Sequence, residues 1–193
     1  MNGFVTTSGK ALLALSAAAV LGLTGTATAQ AQTTSQQPTR AAAGTAADAV
    51  RARLAQPGAA AAGRIVCYRV HVAEQGWLPA ECDGGVAGTT GQSRRIEAIE
   101  VAVGNVGWVC LNAHLADTAW QGTRCGNDFE NVVAGTTGQS RRLEALNIRV
   151  SSGSVWARAH VQDIGWQNAV RGKAVTVGTT GQSRRMEAVQ IDV

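Results

Sequence analysis

The chain has 193 residues, with 23 Gly, 5 Trp, 4 Cys and 3 His, a formal charge of +4 and a charged fraction of 16%. That length suits one domain of ordinary size with a tail and excludes a large multidomain enzyme. The charge is too small and too evenly mixed with acids to specify a nucleic-acid binder, and 4 cysteines are too few for a disulfide-dense miniprotein.

Residues 1–29 read as a secretory signal peptide. Lys10 is the only charge, an apolar run covers residues 11–23, and small residues follow with two A-x-A sites, at Ala27 to Ala29 and Ala29 to Ala31. A run of 13 residues is the size of a signal core, whereas a bilayer span needs about 20. The expected product is a soluble, secreted protein with no membrane insertion. Residues 30–63 are rich in Ala, Gln and Thr, contain Pro38 and Pro57, and lack aromatics. Residues 46–56 have the propensity for a short helix, but the whole stretch reads as a linker, because so little apolar area cannot offset its ordering entropy. The excess of Arg over Lys suggests a high-GC bacterial source.

Residues 64–193 contain three copies of one repeat, at about 65–103, 107–150 and 154–193. The segment G-T-T-G-Q-S-R-R-x-E-A occurs at 88–98, 135–145 and 178–188, spaced by 47 and 43 residues, and only its ninth position varies (Ile96, Leu143, Met186). Upstream, His71, His114 and His160 each precede a Trp by six residues (Trp77, Trp120, Trp166). Such self-similarity marks repeat architectures. Each copy holds two strand signals of period two. The first comprises Val66, Tyr68, Val70 and Val72, then Val109, Leu111, Ala113 and Leu115, then Val155, Ala157, Ala159 and Val161. The second comprises Ile99, Val101 and Val103, then Leu146, Ile148 and Val150, then Val189, Ile191 and Val193. Gly104-Asn105 and Ser152-Gly153 predict hairpin-like connections, and a weak hairpin fits between each Trp and the following G-T-T-G. Six strong strands and three weak hairpins predict an all-β, pseudo-threefold closed domain. It would be β-trefoil-like, with a three-sheet β-prism as the alternative. Closure would remove exposed edges.

These repeats resemble the ChW family, the clostridial hydrophobic repeats with a characteristic tryptophan. The residues that carry the likeness are His160-Val161-Gln162-Asp163-Ile164-Gly165-Trp166-Gln167 and the motif at 178–188. The third copy is the closest match; the second has Ala119 where the pattern has Gly, and the first has Leu78 where it has Gln. The resemblance implies a secreted or surface-associated bacterial protein that binds a macromolecule, polysaccharide or protein, with no defined catalysis.

The cysteines follow the repeats. Cys67 and Cys110 lie four residues before the His, Cys82 and Cys125 eleven after it, and the third copy has Trp156 and Arg171 at those places. Joint loss of both favours pairing Cys67 with Cys82 and Cys110 with Cys125. A zinc site is the rival, but this spacing lacks a second half. Trp77, Trp120 and Trp166 are candidates to stack on sugar rings; the competing reading buries them near the threefold axis as core. The histidines offer either a three-His metal site or, on the face opposite the apolar stripe beside Arg69, Asn112 and Arg158, hydrogen-bonded structural groups. The second reading needs no metal. Gln92 and Arg94, Gln139 and Arg141, and Gln182 and Arg184 offer donors and acceptors for a hydroxyl-rich or anionic ligand. Arg95–Glu97, Arg142–Glu144 and Arg185–Glu187 sit two apart on one strand face, placed to bridge one another or a neighbouring repeat.

No nucleophile motif appears, every candidate group is triplicated, and no motif needs a cofactor. The expectation is therefore a non-catalytic module binding a polysaccharide or cell-surface macromolecule, and no nucleic acid. A secreted protein-interaction or structural protein is the alternative. The third copy, with its full Gly165-Trp166-Gln167 pattern, is expected to bind best.

Overall fold

A computed structural model of the chain describes residues 44–57 and 63–193. The proposed signal peptide lies outside the described residues. The described part of the stretch read as linker holds a helix, α1 (Ala46–Leu54). The first repeat then supplies β1 (Ile65–Val72), β2 (Gly76–Trp77), β3 (Glu81–Cys82), β4 (Ala87–Gly88) and β5 (Ile96–Gly104). The second supplies β6 (Trp108–Leu115), β7 (Ala119–Trp120), β8 (Arg124–Asn127), β9 (Val132–Gly135) and β10 (Leu143–Val150). The third supplies β11 (Val155–Val161), β12 (Gly165–Trp166), β13 (Val170–Gly172), β14 (Ala174–Gly178) and β15 (Met186–Asp192).

In each repeat the two long strands pair antiparallel: β1 with β5, β6 with β10, β11 with β15. The short strand carrying the tryptophan pairs with the first of them, and so does the next short strand, β3, β8 or β13. The hairpin expected between the tryptophan and G-T-T-G does not form, because both short strands add to the same edge. The short strand that ends in the first glycine of G-T-T-G does not stay in its own sheet. β9 adds to β5, β14 to β10 and β4 to β15. The exchange is cyclic, and it produces three antiparallel sheets of five strands each. The all-β class and threefold repetition are as expected, but no sheet among the described residues closes on itself. The apolar faces of all three sheets meet in one core that includes Tyr68, Ile99, Leu111, Leu146, Ile148 and Ile191. Those are the residues of the period-two stripe, so alternation alone sets which face is buried.

A β-bulge interrupts each long pair at the same place. His71 faces Ala98 while Val72 faces Ile96, leaving Glu97 as the extra residue; Glu144 and Glu187 are its counterparts. A bulged residue leaves its backbone groups outside the ladder. Here the freed carbonyl receives the neighbouring repeat. Glu97 O accepts from Thr136 N at 2.9 Å, Glu144 O from Thr179 N at 2.8 Å, and Glu187 O from Thr89 N at 2.8 Å. A Cβ on Gly135, Gly178 or Gly88 would overlap that same carbonyl. This close approach explains why the motif begins with glycine three times.

The helix is locally well specified. Thr45 and Asp48 form a capping box, and Arg51 and Arg53 occupy the last turn. Composition suggests too little apolar area here, yet Ala46, Ala47 and Val50 are fully buried against Ile65, Cys67 and Ala102. Small residues suffice because Ala102 and Gly104 let the helix approach closely; a Cβ on Gly104 would strike Val50. The Ala46 N–H donates to Glu100 at 2.8 Å and the Ala47 N–H to Asn131 at 2.8 Å. Both helix-end donors are thereby satisfied.

Candidate functional site

The structure joins Cys67 to Cys82 and Cys110 to Cys125, and no free cysteine remains among the described residues. Each pair sits directly cross-strand, on β1 and β3 and on β6 and β8. In the third repeat Trp156 faces Arg171 at the same register.

The tryptophans are not core. They stand on edge strands β2, β7 and β12, each cross-strand from its histidine. The ring pairs meet edge-on at 5.6, 5.3 and 5.5 Å. Each histidine also faces the bulged glutamate. His71 Nδ1 lies 3.2 Å from Glu97 Oε2, His114 3.2 Å from Glu144, and His160 3.1 Å from Glu187. The approach is off-line for a hydrogen bond, and no other group among the described residues reaches those buried nitrogens. The other carboxylate oxygen takes an arginine: Arg95 at 2.7 Å, Arg142 at 2.8 Å and Arg185 at 2.8 Å. Glu97, Glu144 and Glu187 are only 4–5% exposed. A carboxylate this buried needs a charged partner, and the arginine supplies it. Each repeat thus builds one relay, arginine to glutamate to histidine to tryptophan. No group of three metal-ligating side chains occurs among the described residues.

What lies over the tryptophan differs among repeats. Arg69 stacks on Trp77 at 4.8 Å and Arg158 on Trp166 at 4.7 Å. Both guanidiniums are anchored from the next strand. Arg69 pairs with Glu100 at 2.8 and 3.0 Å, and Arg158 donates to Gln190 at 2.6 Å. In the second repeat the corresponding residues are Asn112 and Asn147, directly cross-strand, with Thr176 beyond them on β14. Trp120 is consequently the most exposed of the three, at 40%. With Asn112, Asn147 and Thr176 it lines an open cleft of about 310 Å³.

The motif residues fall elsewhere. Gln92, Gln139 and Gln182 are exposed, and only Gln92 is engaged, accepting from Gln75 at 3.4 Å. Arg94 pairs with Glu74 at 2.6 Å, and Arg184 with Asp163 at 3.2 Å. Arg141 makes no hydrogen bond or ion pair among the described residues. These side chains do not join the tryptophan clefts. Nor does the glutamine after the tryptophan: Gln121 and Gln167 each accept from the backbone N–H of Gly135 or Gly178 at 2.9 Å. The Trp-Gln pattern therefore serves packing, and Leu78 replaces that bond by lying against the core.

One convergence is not legible in the sequence. Ser93, Ser140 and Ser183, with Arg95, Arg142 and Arg185, line a single pocket of about 250 Å³ where the three repeats meet. Spacing along a chain carries no distance between repeats. Threefold repetition of a polar motif was the one available signal.

A family model for Clostridial hydrophobic W (ChW) matches residues 71–105, 103–152 and 160–193. The chain belongs to the ChW family. The three matched ChW segments span the tryptophans, the bulged glutamates and the G-T-T-G motifs. No curated protein and no solved structure matches the chain. No helix among the described residues is long and apolar enough to cross a membrane.

Proposed function

We propose that this ChW protein is an exported, non-catalytic binding module that presents repeated outward sites to a polysaccharide or another cell-surface macromolecule. The observation that carries this reading is the tryptophan on the outer edge of each of three sheets, backed by the same histidine and glutamate. An aromatic ring flanked by neutral amides and a hydroxyl suits a sugar, whose C–H face stacks while its hydroxyls hydrogen-bond. Asn112, Asn147 and Thr176 around Trp120 supply that set, which favours the second repeat over the third as the strongest sugar site. Triplicated, internally paired glutamates support the absence of an asymmetric catalytic pair. Two disulfides suit an oxidising compartment and so support export. The cyclic exchange of β4, β9 and β14 supports reading the sheets as the sides of a β-prism-like body.

Arg69 on Trp77 and Arg158 on Trp166 favour a second reading for the other two faces. Tryptophan and arginine are the residues that most often anchor protein interfaces. Co-sedimentation of the full chain with insoluble cell-wall and plant polysaccharides, beside a protein pull-down, tests both. Trp120→Ala, with the fold checked by circular dichroism, is expected to reduce polysaccharide retention by about tenfold or more. Retention unaffected by Trp120→Ala but lost on Trp77→Ala would move the site to the arginine-covered faces.

A further inference from the structure

The pocket where the repeats meet has a donor arrangement that the tryptophan clefts lack. It is lined by three serines, three arginines and Gln162, with no carboxylate among them. Each guanidinium is held from behind. Arg95, Arg142 and Arg185 donate from Nε to Glu97, Glu144 and Glu187 at 2.9, 2.8 and 2.9 Å. The same carboxylate oxygens take Nη2 at 2.7, 2.8 and 2.8 Å. Nη1 of all three makes no hydrogen bond among the described residues. Arginine has donors only, so a group that meets these edges has to be an acceptor.

The serines add a second, independent observation. Ser93, Ser140 and Ser183 all have φ of 53°, a left-handed conformation that side chains other than Gly, Asn and Asp rarely adopt. Two residues earlier, Gly91, Gly138 and Gly181 take φ of 69–71° without strain. Glycine would serve the turn equally well at the serine positions. Three serines on left-handed backbone line this one pocket, and strain of this kind gathers at ligand sites.

We propose that this pocket binds one tetrahedral oxyanion, a phosphate or sulfate group. Such a group has three equivalent oxygens about its own threefold axis, and the pocket offers one arginine–serine pair to each. Planar carboxylates have two oxygens and match less well. The buried glutamates do not cancel the site. They orient each guanidinium with its unused edge forward, so anion and carboxylate meet opposite sides of the same cation. Gln162 comes from the third repeat alone, where the others have Ala73 and Ala116, and it adds an amide at one side of the rim. The pocket has its own lining, distinct from that of the Trp120 cleft, although each of its arginines shares a glutamate with the histidine behind a tryptophan.

The test is titration of the full chain at low salt with inorganic phosphate and with sulfate, followed by calorimetry and by arginine side-chain NMR. One anion per chain is expected, with the Arg95, Arg142 and Arg185 resonances shifting together. Arg142→Gln is expected to weaken binding by about tenfold or more, but it strands Glu144 and risks the fold. The decisive variant is therefore Ser93→Gly with Ser140→Gly and Ser183→Gly. It relieves the strained φ, so it is expected to raise the melting temperature while weakening anion binding by about tenfold or more. A sulfated polysaccharide competing with inorganic sulfate, where its uncharged parent does not, would assign the group to a polymer ester; failure to compete would assign it to the free ion. No saturable 1:1 binding of either ion, or binding untouched by the triple glycine variant, overturns the proposal.

Discussion

The first and second repeats carry the same motif, the same disulfide geometry along the chain and the same histidine–tryptophan pair, yet their outer faces have diverged. On the first, Ala102 and Gly104 admit α1, and Arg69 covers Trp77. On the second, Arg149 stands where Ala102 does and lies 5.6 Å from the Trp108 ring. No helix among the described residues seats there, and Trp120 stays open. Identity among copies follows contact with a neighbouring repeat, at the first glycine, the following threonine and the bulged glutamate. Difference follows the outward face. Nothing in the structure explains the identity of the exposed Gln92, Gln139 and Gln182.

The largest expected effect tests the shared part. Gly135 packs its α-carbon onto the Glu97 carbonyl at φ of 102°, while Gly138, three residues on, has φ of 69° with open space around it. Gly135→Ala is expected to cost about 4 kcal/mol or more, since the obstacle is backbone. Gly138→Ala is expected to cost about 1–2 kcal/mol, for the conformation alone. Urea unfolding with disulfides intact reads both; comparable losses would mean that the inter-repeat approach is not what fixes the glycine.

The disulfides come next and sharpen the contrast between the two repeats. Each closes a separation of 15 residues, for which chain entropy gives about 3 kcal/mol. Replacing Cys110 and Cys125 by Ser is expected to lose about that amount. Replacing Cys67 and Cys82 is expected to lose more, because Cys67 is fully buried beneath α1 and would place a hydroxyl there. Equal losses would show that the helix adds nothing to the first repeat's bridge.

A smaller effect concerns Tyr68, at the position held by Leu111 and Ala157 in the other repeats. Its hydroxyl donates to the Gly85 carbonyl and accepts from the Ile191 N–H at 2.8 Å, tying the first repeat to the last strand. Burial pushes its phenol well above the ordinary value of 10.0. The unfolded chain therefore loses this proton first, and stability falls as pH rises past about 10. Tyr68→Phe is expected to cost about 1–2 kcal/mol at neutral pH and to flatten the alkaline decline. An unchanged slope between wild type and variant would assign the decline to other groups.

Much of this was legible from period-two alternation, which names the buried stripe, and from the joint replacement of both cysteines by Trp156 and Arg171 in the third repeat, which points to the disulfides. The sheet exchange was not. β4, β9 and β14 are too short to declare a partner, and local pattern holds no information on which edge a strand joins. Propensity marks the helix over residues 46–56 but not its docking: the buried face is alanine and one valine, an apolar area that matters only once Ala102 and Gly104 are known to face it. The tryptophans misled as core candidates because residue type fixes average burial and not the strand edge on which a residue stands.

The smallest effect is confined to that helix. Thr45 caps α1, and Asp48 returns the bond to the Thr45 N–H at 3.0 Å. Thr45→Ala is expected to cost the helix about 1 kcal/mol, felt locally because α1 lies outside the main core. Hydrogen exchange at Ala49 and Val50 is the sensitive measurement, with the strand amides as internal reference. The Thr45 hydroxyl and backbone N–H hold the Asp48 carboxyl below its ordinary value of 3.8. Its contribution is thus present above that value and lost as pH falls through the lower folded one. Acid should therefore lower the protection of α1, measured against the intrinsic exchange rate at each pH, before it touches β1 or β5, and Thr45→Ala, which removes the hydroxyl bond and keeps the backbone one, should shrink that acid step. If protection in α1 and in β1 falls together, the helix is one cooperative unit with the first sheet, and the two outer faces differ in stability as well as in covering.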